Sequence, residues 1–98
     1  MLDDIQTILV IDDHPLMRKG IIQLIAMEDS LRLAGEAGDG RQGLELARQL
    51  RPDLILLDLN MRGLSGLDTL KALKATDLDA RVIILTVSDS EEDVVAAL

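Results

Sequence analysis

Two short apolar runs in this chain each stop at a carboxylate. Leu54-Ile55-Leu56-Leu57 runs without a polar break into Asp58, and Ile8-Leu9-Val10-Ile11 runs into Asp12-Asp13. Continuous apolar runs of this length read as strands buried on both faces, the pattern of a parallel sheet. Around them the period changes to that of helices. Pro15 suits a first helical turn, and Leu16, Met17, Ile21, Leu24 and Ile25 recur at helical spacing, so a helix is predicted to about Glu28. Leu31–Ala37 alternates loosely through Leu31, Leu33, Gly35 and Ala37, which predicts a second strand, more exposed than the first. Gly38-Asp39-Gly40 is a turn. Asp39 or a neighbour can cap a helix whose apolar face is Leu44, Leu46, Ala47 and Leu50, and Arg51-Pro52 stops it. The third strand, Leu54–Leu57, leads through a loop with Gly63 and Gly66 into a helix carrying Leu67, Leu70, Ala72 and Leu73. Arg81–Val87 is the fourth strand. Ser88-Asp89-Ser90-Glu91 opens a further helix with Val94, Val95 and Leu98 on its apolar face.

This βαβαβαβα order with short links predicts an α/β fold: a parallel sheet, right-handed crossovers and helices on both faces. No repeat, low-complexity stretch or linker divides the chain, so residues 1–98 read as one domain.

Composition narrows the chemistry. Phe, Tyr and Trp are absent, so the core is built from Leu, Ile, Val, Ala and Met, and no aromatic platform exists on which bases could stack. With 18 acidic residues against 10 basic, the net charge is −8, and a polyanion such as DNA is repelled on average. Absence of cysteine excludes disulfides, thiolate catalysis and zinc–thiolate sites. No secretion signal and no membrane-length apolar run is present, which points to a cytoplasmic protein with no membrane partner.

The carboxylates at the two strand ends are the candidate chemistry. Ligands of open α/β sheets lie outside the carboxyl ends of the strands. If the strands ending at Asp12-Asp13 and Asp58 are neighbours, like charges converge there, which requires a cation or a proton among them. A hard divalent ion with oxygen ligands is the simplest resolution, and Mg²⁺ is usual where phosphate is involved. The bland readings are a solvated turn for Asp12-Asp13, a turn residue for Asn60, and an ordinary strand residue for Thr86. Asp58 at a matching strand end favours the functional reading of the aspartate pair. His14, the sole histidine, reads as a polar residue at a helix start; Met17, Met27 and Met61 read as packing, and Arg18-Lys19 and Arg62 as surface charge.

Taken together, Ile11-Asp12-Asp13-His14-Pro15, Leu57-Asp58-Leu59-Asn60-Met61, Gly66-Leu67 and Ile83-Ile84-Leu85-Thr86 resemble the receiver domain of bacterial two-component response regulators. The likeness extends over essentially all of the chain. Asp13-His14-Pro15-Leu16-Met17-Arg18, Gly35-Glu36-Ala37-Gly38-Asp39-Gly40, and Leu56–Met61 with Ser65-Gly66-Leu67-Asp68-Thr69-Leu70 are similar to the nitrate/nitrite (NarL/NarP-type) subgroup, whose full-length members carry a helix-turn-helix DNA-binding domain after the receiver. The resemblance implies a flavodoxin-like, CheY-like sheet of order 2-1-3-4 followed by a fifth strand. It implies that Asp58 is the phosphoacceptor, taking a phosphoryl group from the phosphohistidine of a sensor histidine kinase. Asp13, Asp58 and the backbone carbonyl of Asn60 would ligate Mg²⁺, with Asp12 acting through a metal-bound water, and the Thr86 hydroxyl would hydrogen-bond the phosphoryl group. The family also has a lysine at the end of its fifth strand.

Leu98 falls inside the expected fourth helix, and no lysine follows Thr86. The expectation is therefore a receiver truncated before its fifth strand and lacking a DNA-binding domain. Its fourth strand would be an exposed edge inviting self-association, by strand pairing or by exchange of the last helix. An alternative is a phosphorylation-impaired interaction or dimerisation module on the same fold. A phosphatase using an aspartyl-phosphate is disfavoured by Asn60, which stands where such enzymes need a second acid.

Overall fold

A computed structural model describes residues 4–61 and 66–85 of the chain. Four strands, β1 (Gln6–Ile11), β2 (Leu31–Ala37), β3 (Leu54–Asp58) and β4 (Arg81–Leu85), alternate with three helices, α1 (Pro15–Ala26), α2 (Gly40–Leu50) and α3 (Gly66–Ala75). All strand pairs are parallel and the sheet order is β2-β1-β3-β4, as the βα alternation implies. Thr86, Val87 and the helix expected after Ser88 lie outside the described residues.

Leu9, Val10, Ile11, Ile55 and Leu57 are completely buried, because β1 and β3 are the inner strands and both faces are covered. On one face Leu9, Ile11, Ile55 and Leu57 form a core with Ala47 of α2 and Leu73 of α3. On the other, Ile8 and Val10 pack with Ile25 of α1, and Leu54 and Leu56 close over them. Each fully buried Leu or Ile contributes about 1.5–3 kcal/mol relative to exposure. The alternation also positions the strand ends: Ile8, Val10 and then Asp12 follow one face of β1, while Leu54, Leu56 and then Asp58 follow the same face of β3.

Local signals set the element ends. The Asp39 carboxylate accepts from the Gln42 backbone N–H at 2.7 Å, and Gln42 Oε1 accepts in turn from Gly38 N at 3.1 Å, a reciprocal N-terminal cap for α2. α2 ends as Arg51 turns left-handed at φ 46 before Pro52, its N–H returning to the Ala47 carbonyl at 3.0 Å. At the opposite edge of the sheet from the strand-end aspartates, Asp53 ties three strands together. Its Oδ2 accepts from Thr7 N at 2.9 Å, its N–H donates to the Thr7 carbonyl at 3.1 Å, and its carbonyl accepts from Arg81 N at 3.0 Å.

The second strand and the first helix form as expected, but two features depart from simple periodicity. The loose alternation of Leu31, Leu33, Gly35 and Ala37 implies a single inward face, but the β1–β2 register slips between Ile8 and Leu9, where Leu33 pairs with Ile8 and Gly35 with Leu9. The extra residue, Ala34, turns the strand over. Leu31 and Leu33 pack on the α1 side, and Ala37 on the side of α2 and α3. The second concerns α1, where Met17 and Met27, expected to pack, do not. Ile21 and Ile25 form its inward face, whereas Leu16 and Leu24 are 85% and 65% exposed and Met17 and Met27 are exposed as well. Helical spacing alone does not say which of two adjacent apolar stripes meets the sheet. Met61 is buried and packs in the core as expected.

Among the described glycines, Gly66, at the first position of α3, lies closest to other backbone. A β-carbon there would lie 2.3 Å from the Leu59 Cα and 2.6 Å from the Asp58 carbonyl oxygen. Both are backbone atoms that no rotamer change can move. Gly66→Ala is therefore expected to destabilise the fold by about 3 kcal/mol, the upper end of overpacking costs, despite the better helix propensity of alanine. Urea unfolding measures this; a stability equal to wild type would refute the close approach.

Candidate functional site

The ladder register brings the candidate carboxylates together. Ile11 pairs with Leu57, so the residues that follow, Asp12 and Asp58, leave the sheet side by side at its C-terminal edge. Both are buried, at 1% and 3% exposure, in a position where a carboxylate loses most of its hydration. The Asp12 N–H donates to the Ala37 carbonyl at 3.0 Å, which fixes the exit from β1 against β2. Asp13, next in the chain, is half-buried beside them.

Short loops hold the side chains in place. Asp12 Oδ1 accepts from the His14 backbone N–H at 2.8 Å, and Asp58 Oδ1 accepts from the Asn60 backbone N–H at 2.9 Å. Both contacts are Asx-type turns, which local polar side chains form readily where a strand ends. The His14 ring reaches in among the carboxylates: its Nδ1 is 3.0 Å from Asp12 Oδ1, 3.1 Å from Asp58 Oδ2 and 3.2 Å from Asp13 Oδ1. The four residues thus present one donor atom each, all within 4.8 Å of one another.

From the sequence, His14 reads only as a polar residue at a helix start. It does occupy the N-cap position of α1, with no side-chain capping bond, but its ring is turned inward to the carboxylates. Arg18 also does more than carry surface charge. Its Nη1 donates to the Asp12 carbonyl at 2.5 Å and its Nε to Glu36 at 2.9 Å, bracing the loop that carries Asp12 and Asp13. The available signal was its place in the first turn of α1, directly after that loop. Asn60 contributes its backbone N–H to Asp58, as a turn residue would. Thr86 and Arg62 lie outside the described residues, while Leu85, the residue before Thr86, is the ladder partner of Asp58.

Electrostatics follow from this crowding. Burial pushes the Asp58 carboxyl above its ordinary value, and the neighbouring Asp12 charge adds to the effect; the Asn60 N–H bond and His14 oppose it. His14 is pushed above its ordinary value chiefly by its hydrogen bond to the Asp12 side chain, with Asp13, Asp12 and Asp58 adding their charge. The donor set suits a hard divalent cation. Asp12 Oδ2 is buried with no hydrogen-bond partner, which is the situation a cation or a water bound to it would relieve.

A parallel sheet of order 2-1-3-4 with an aspartate pair after its first strand and a buried aspartate after its third defines a CheY-like signal receiver. The response regulator receiver domain family matches residues 8–98, and the chain belongs to that family. It is 55% identical over 92 residues to the nitrate/nitrite response regulator NarL of Escherichia coli (strain K12), covering 94% of this chain and 43% of that protein. It is 52% identical over 93 residues to a nitrate/nitrite response regulator homolog of Haemophilus influenzae, covering 95% of this chain and 45% of the relative. The chain therefore spans less than half the length of these curated relatives. Among solved structures, the signal receiver domain of NarL from Mycobacterium tuberculosis superposes with a TM-score of 0.82 at 34% identity, covering 90% of this chain and 71% of that one. The response regulator domain of Thermotoga maritima CheB gives 0.81 at 30% identity, covering 91% of this chain and 66% of that one. Receiver domains generally bind Mg²⁺ at an acidic pocket of this kind.

Because the fold holds the Asp58 carboxyl above its ordinary value, its ionised form is the disfavoured one when folded. Stability on this account falls as pH rises from the ordinary carboxylate range through the raised value. Asp58→Asn is expected to raise the Tm of the protein in EDTA at pH 7, and its advantage over wild type is expected to shrink as the pH is lowered into the ordinary carboxylate range. Scanning calorimetry across pH tests this, and an asparagine variant melting below wild type at pH 7 in EDTA would contradict it. A cation that binds this pocket only in the folded state would restore the wild type by mass action, by about 1.4 kcal/mol at ten times its Kd.

Proposed function

We propose that this chain is a phosphoacceptor module acting in the cytoplasm, in which Asp58 accepts a phosphoryl group from the phosphohistidine of a sensor histidine kinase. The observation that carries the reading is the convergence of buried Asp12 and Asp58, with Asp13 beside them, at the C-terminal edge of the inner strands. In the transfer an Asp58 carboxylate oxygen forms a bond to phosphorus as the P–N bond to the kinase imidazole breaks, leaving an acyl phosphate on Asp58 and a neutral imidazole once a proton is taken up.

Such a step needs charge neutralisation and in-line positioning more than acid–base work. The side chains of Asp13 and Asp58 and the backbone carbonyl of Asn60 would hold Mg²⁺, with Asp12 acting through a bound water. When bound, the ion neutralises charge between the anionic nucleophile and the anionic phosphoryl group. The Asn60 N–H on Asp58 Oδ1 leaves Oδ2 as the oxygen turned toward the pocket, the one that also meets His14. Arg18 keeps the aspartate loop in register through the Asp12 carbonyl. Thr86 would hydrogen-bond the arriving phosphoryl group; the ladder pairing of Leu85 with Asp58 supports this. Phosphorylation would regulate transcription through an output domain, for which the length of the curated relatives beyond this domain leaves room. The net charge of −8 supports a domain that does not itself bind nucleic acid.

The test is incubation with acetyl phosphate and Mg²⁺ followed by intact mass spectrometry. Wild type is expected to gain one phosphoryl group, Asp58→Asn none, and EDTA to suppress the adduct. An equal adduct on Asp58→Asn would refute the assignment.

Self-association is proposed as well. Among the described residues β4 is hydrogen-bonded only to β3, and its Val82-Ile83-Ile84-Leu85 run carries no charge or proline to blunt pairing. Light scattering at tens of micromolar is expected to show a species larger than the 10.7 kDa chain. A purely monomeric solution would rule this pairing out.

A further inference from the structure

The pocket contains a nitrogen donor that the carboxylate site alone does not need. His14 Nδ1 lies 3.0, 3.1 and 3.2 Å from one oxygen each of Asp12, Asp58 and Asp13. Neighbouring ligand atoms on one first-row ion, bound at about 2.0–2.2 Å, are themselves about 3 Å apart. The nitrogen therefore stands where another corner of a coordination shell would fall. Asp12 Oδ2 adds an independent sign that a cation is wanted, since it is buried in the same pocket with no hydrogen-bond partner. The His14 side chain is 55% exposed, so with an ion bound the ring proton can sit on Nε2 while Nδ1 gives its lone pair to the metal.

We propose that His14 is a metal ligand of this site, adding one imidazole nitrogen to the Asp13 and Asp58 oxygens beside the water-mediated Asp12, and that it gives the pocket a preference for first-row transition ions such as Co²⁺, Ni²⁺ or Zn²⁺ over Mg²⁺. The inference rests on the carboxylate metal site proposed above. The chemistry is selective because Mg²⁺ takes oxygen donors and retains water, whereas imidazole suits the later divalent ions, whose affinities rise along the Irving–Williams series. An oxygen-only pocket would discriminate far less. Backbone geometry favours the arrangement too. The His14 N–H is tied to Asp12 Oδ1 at 2.8 Å and Pro15 follows as the first residue of α1, so the ring is carried on a short, constrained corner beside the carboxylates.

His14 is the only histidine in the chain, so an imidazole signal from a bound ion has a single source within one copy. Calorimetric titrations of the full chain at fixed pH with Mg²⁺ and with Co²⁺ are to be compared between wild type and His14→Gln, which retains a polar side chain at the helix entry. Glutamine is expected to lower Co²⁺ affinity by at least the roughly 10–100-fold that loss of a supporting partner costs a metal site, and to leave Mg²⁺ affinity within about threefold, since oxygen donors carry that ion. Pulsed EPR of the Mn²⁺-loaded wild type is expected to show nitrogen modulation that changes when the histidine is labelled with ¹⁵N and vanishes in His14→Gln. If wild type binds neither Mg²⁺ nor Co²⁺, the carboxylate site falls and His14 ligation with it. If both ions bind, but Co²⁺ affinity is unchanged in His14→Gln and the Mn²⁺ spectra carry no histidine nitrogen, the carboxylate site stands and the role of His14 is overturned.

Discussion

The site rests on one register. Ile11 opposite Leu57 in two parallel inner strands obliges the next residues, both aspartates, to emerge together from a buried edge. Hydrophobic burial enforces the pairing. A slip of β3 by one residue would turn Ile55 and Leu57 away from α2 and α3 and onto the opposite face. The cohesion of the core thus holds together charges that repel one another. Neither carboxylate can relax outward without disturbing strands whose side chains are fully enclosed. The fold stores an unfavourable electrostatic arrangement at its edge, and a positive charge or a proton is what relieves it.

Around that edge, loops with few residues make the remaining adjustments. Two Asx turns, Asp12 to His14 and Asp58 to Asn60, satisfy one oxygen of each buried aspartate and aim another into the pocket. Arg18 reaches back from α1 to the Asp12 carbonyl and to Glu36, linking the loop to β2. Gly66 lets α3 start directly against the Asp58–Leu59 backbone, where any side chain would collide. Each device is local in sequence to a strand end, yet each serves a pocket assembled from residues more than forty positions apart, such as His14 and Asp58.

The parts of the fold that were legible in the sequence are those where one physical requirement dominates. Leu54–Leu57 and Ile8–Ile11 admit only a doubly buried strand, and from them followed the sheet, its helices and the meeting of Asp12, Asp13 and Asp58. The Asp39 cap was legible because a carboxylate before a helix start has one obvious task. β2 was harder. Its alternation is real, but the inserted Ala34 reverses the faces halfway, and the single hint in Leu31–Ala37 is Gly35, a strand glycine of the kind that accompanies bulges. α1 carries more apolar residues than the sheet can take. Leu16 and Leu24 lie on one stripe and Ile21 and Ile25 on the next, and periodicity weighs both stripes equally. His14 and Arg18 escaped notice because their roles depend on ring and guanidinium directions set by the corner at Pro15, which spacing does not encode.

A core without aromatic residues has a further consequence for the site. Aliphatic side chains fill space only if the backbones come close, and Gly43 shows how close: a β-carbon there would lie 2.5 Å from Ile11 Cδ1 and 2.9 Å from Ile11 Cγ2. Ile11 is the residue immediately before Asp12 and the ladder partner of Leu57, which precedes Asp58. α2 is therefore pressed onto the residue that sets the spacing of the carboxylates. A change in how α2 seats on Ile11 would move Asp12 relative to Asp58, because in an interior packed at crystal-like density a displacement has nowhere to dissipate. Ile11 is thus shared between the seat of α2 and the strand end that presents Asp12, so the packing of that helix and the position of the carboxylate meet at one side chain.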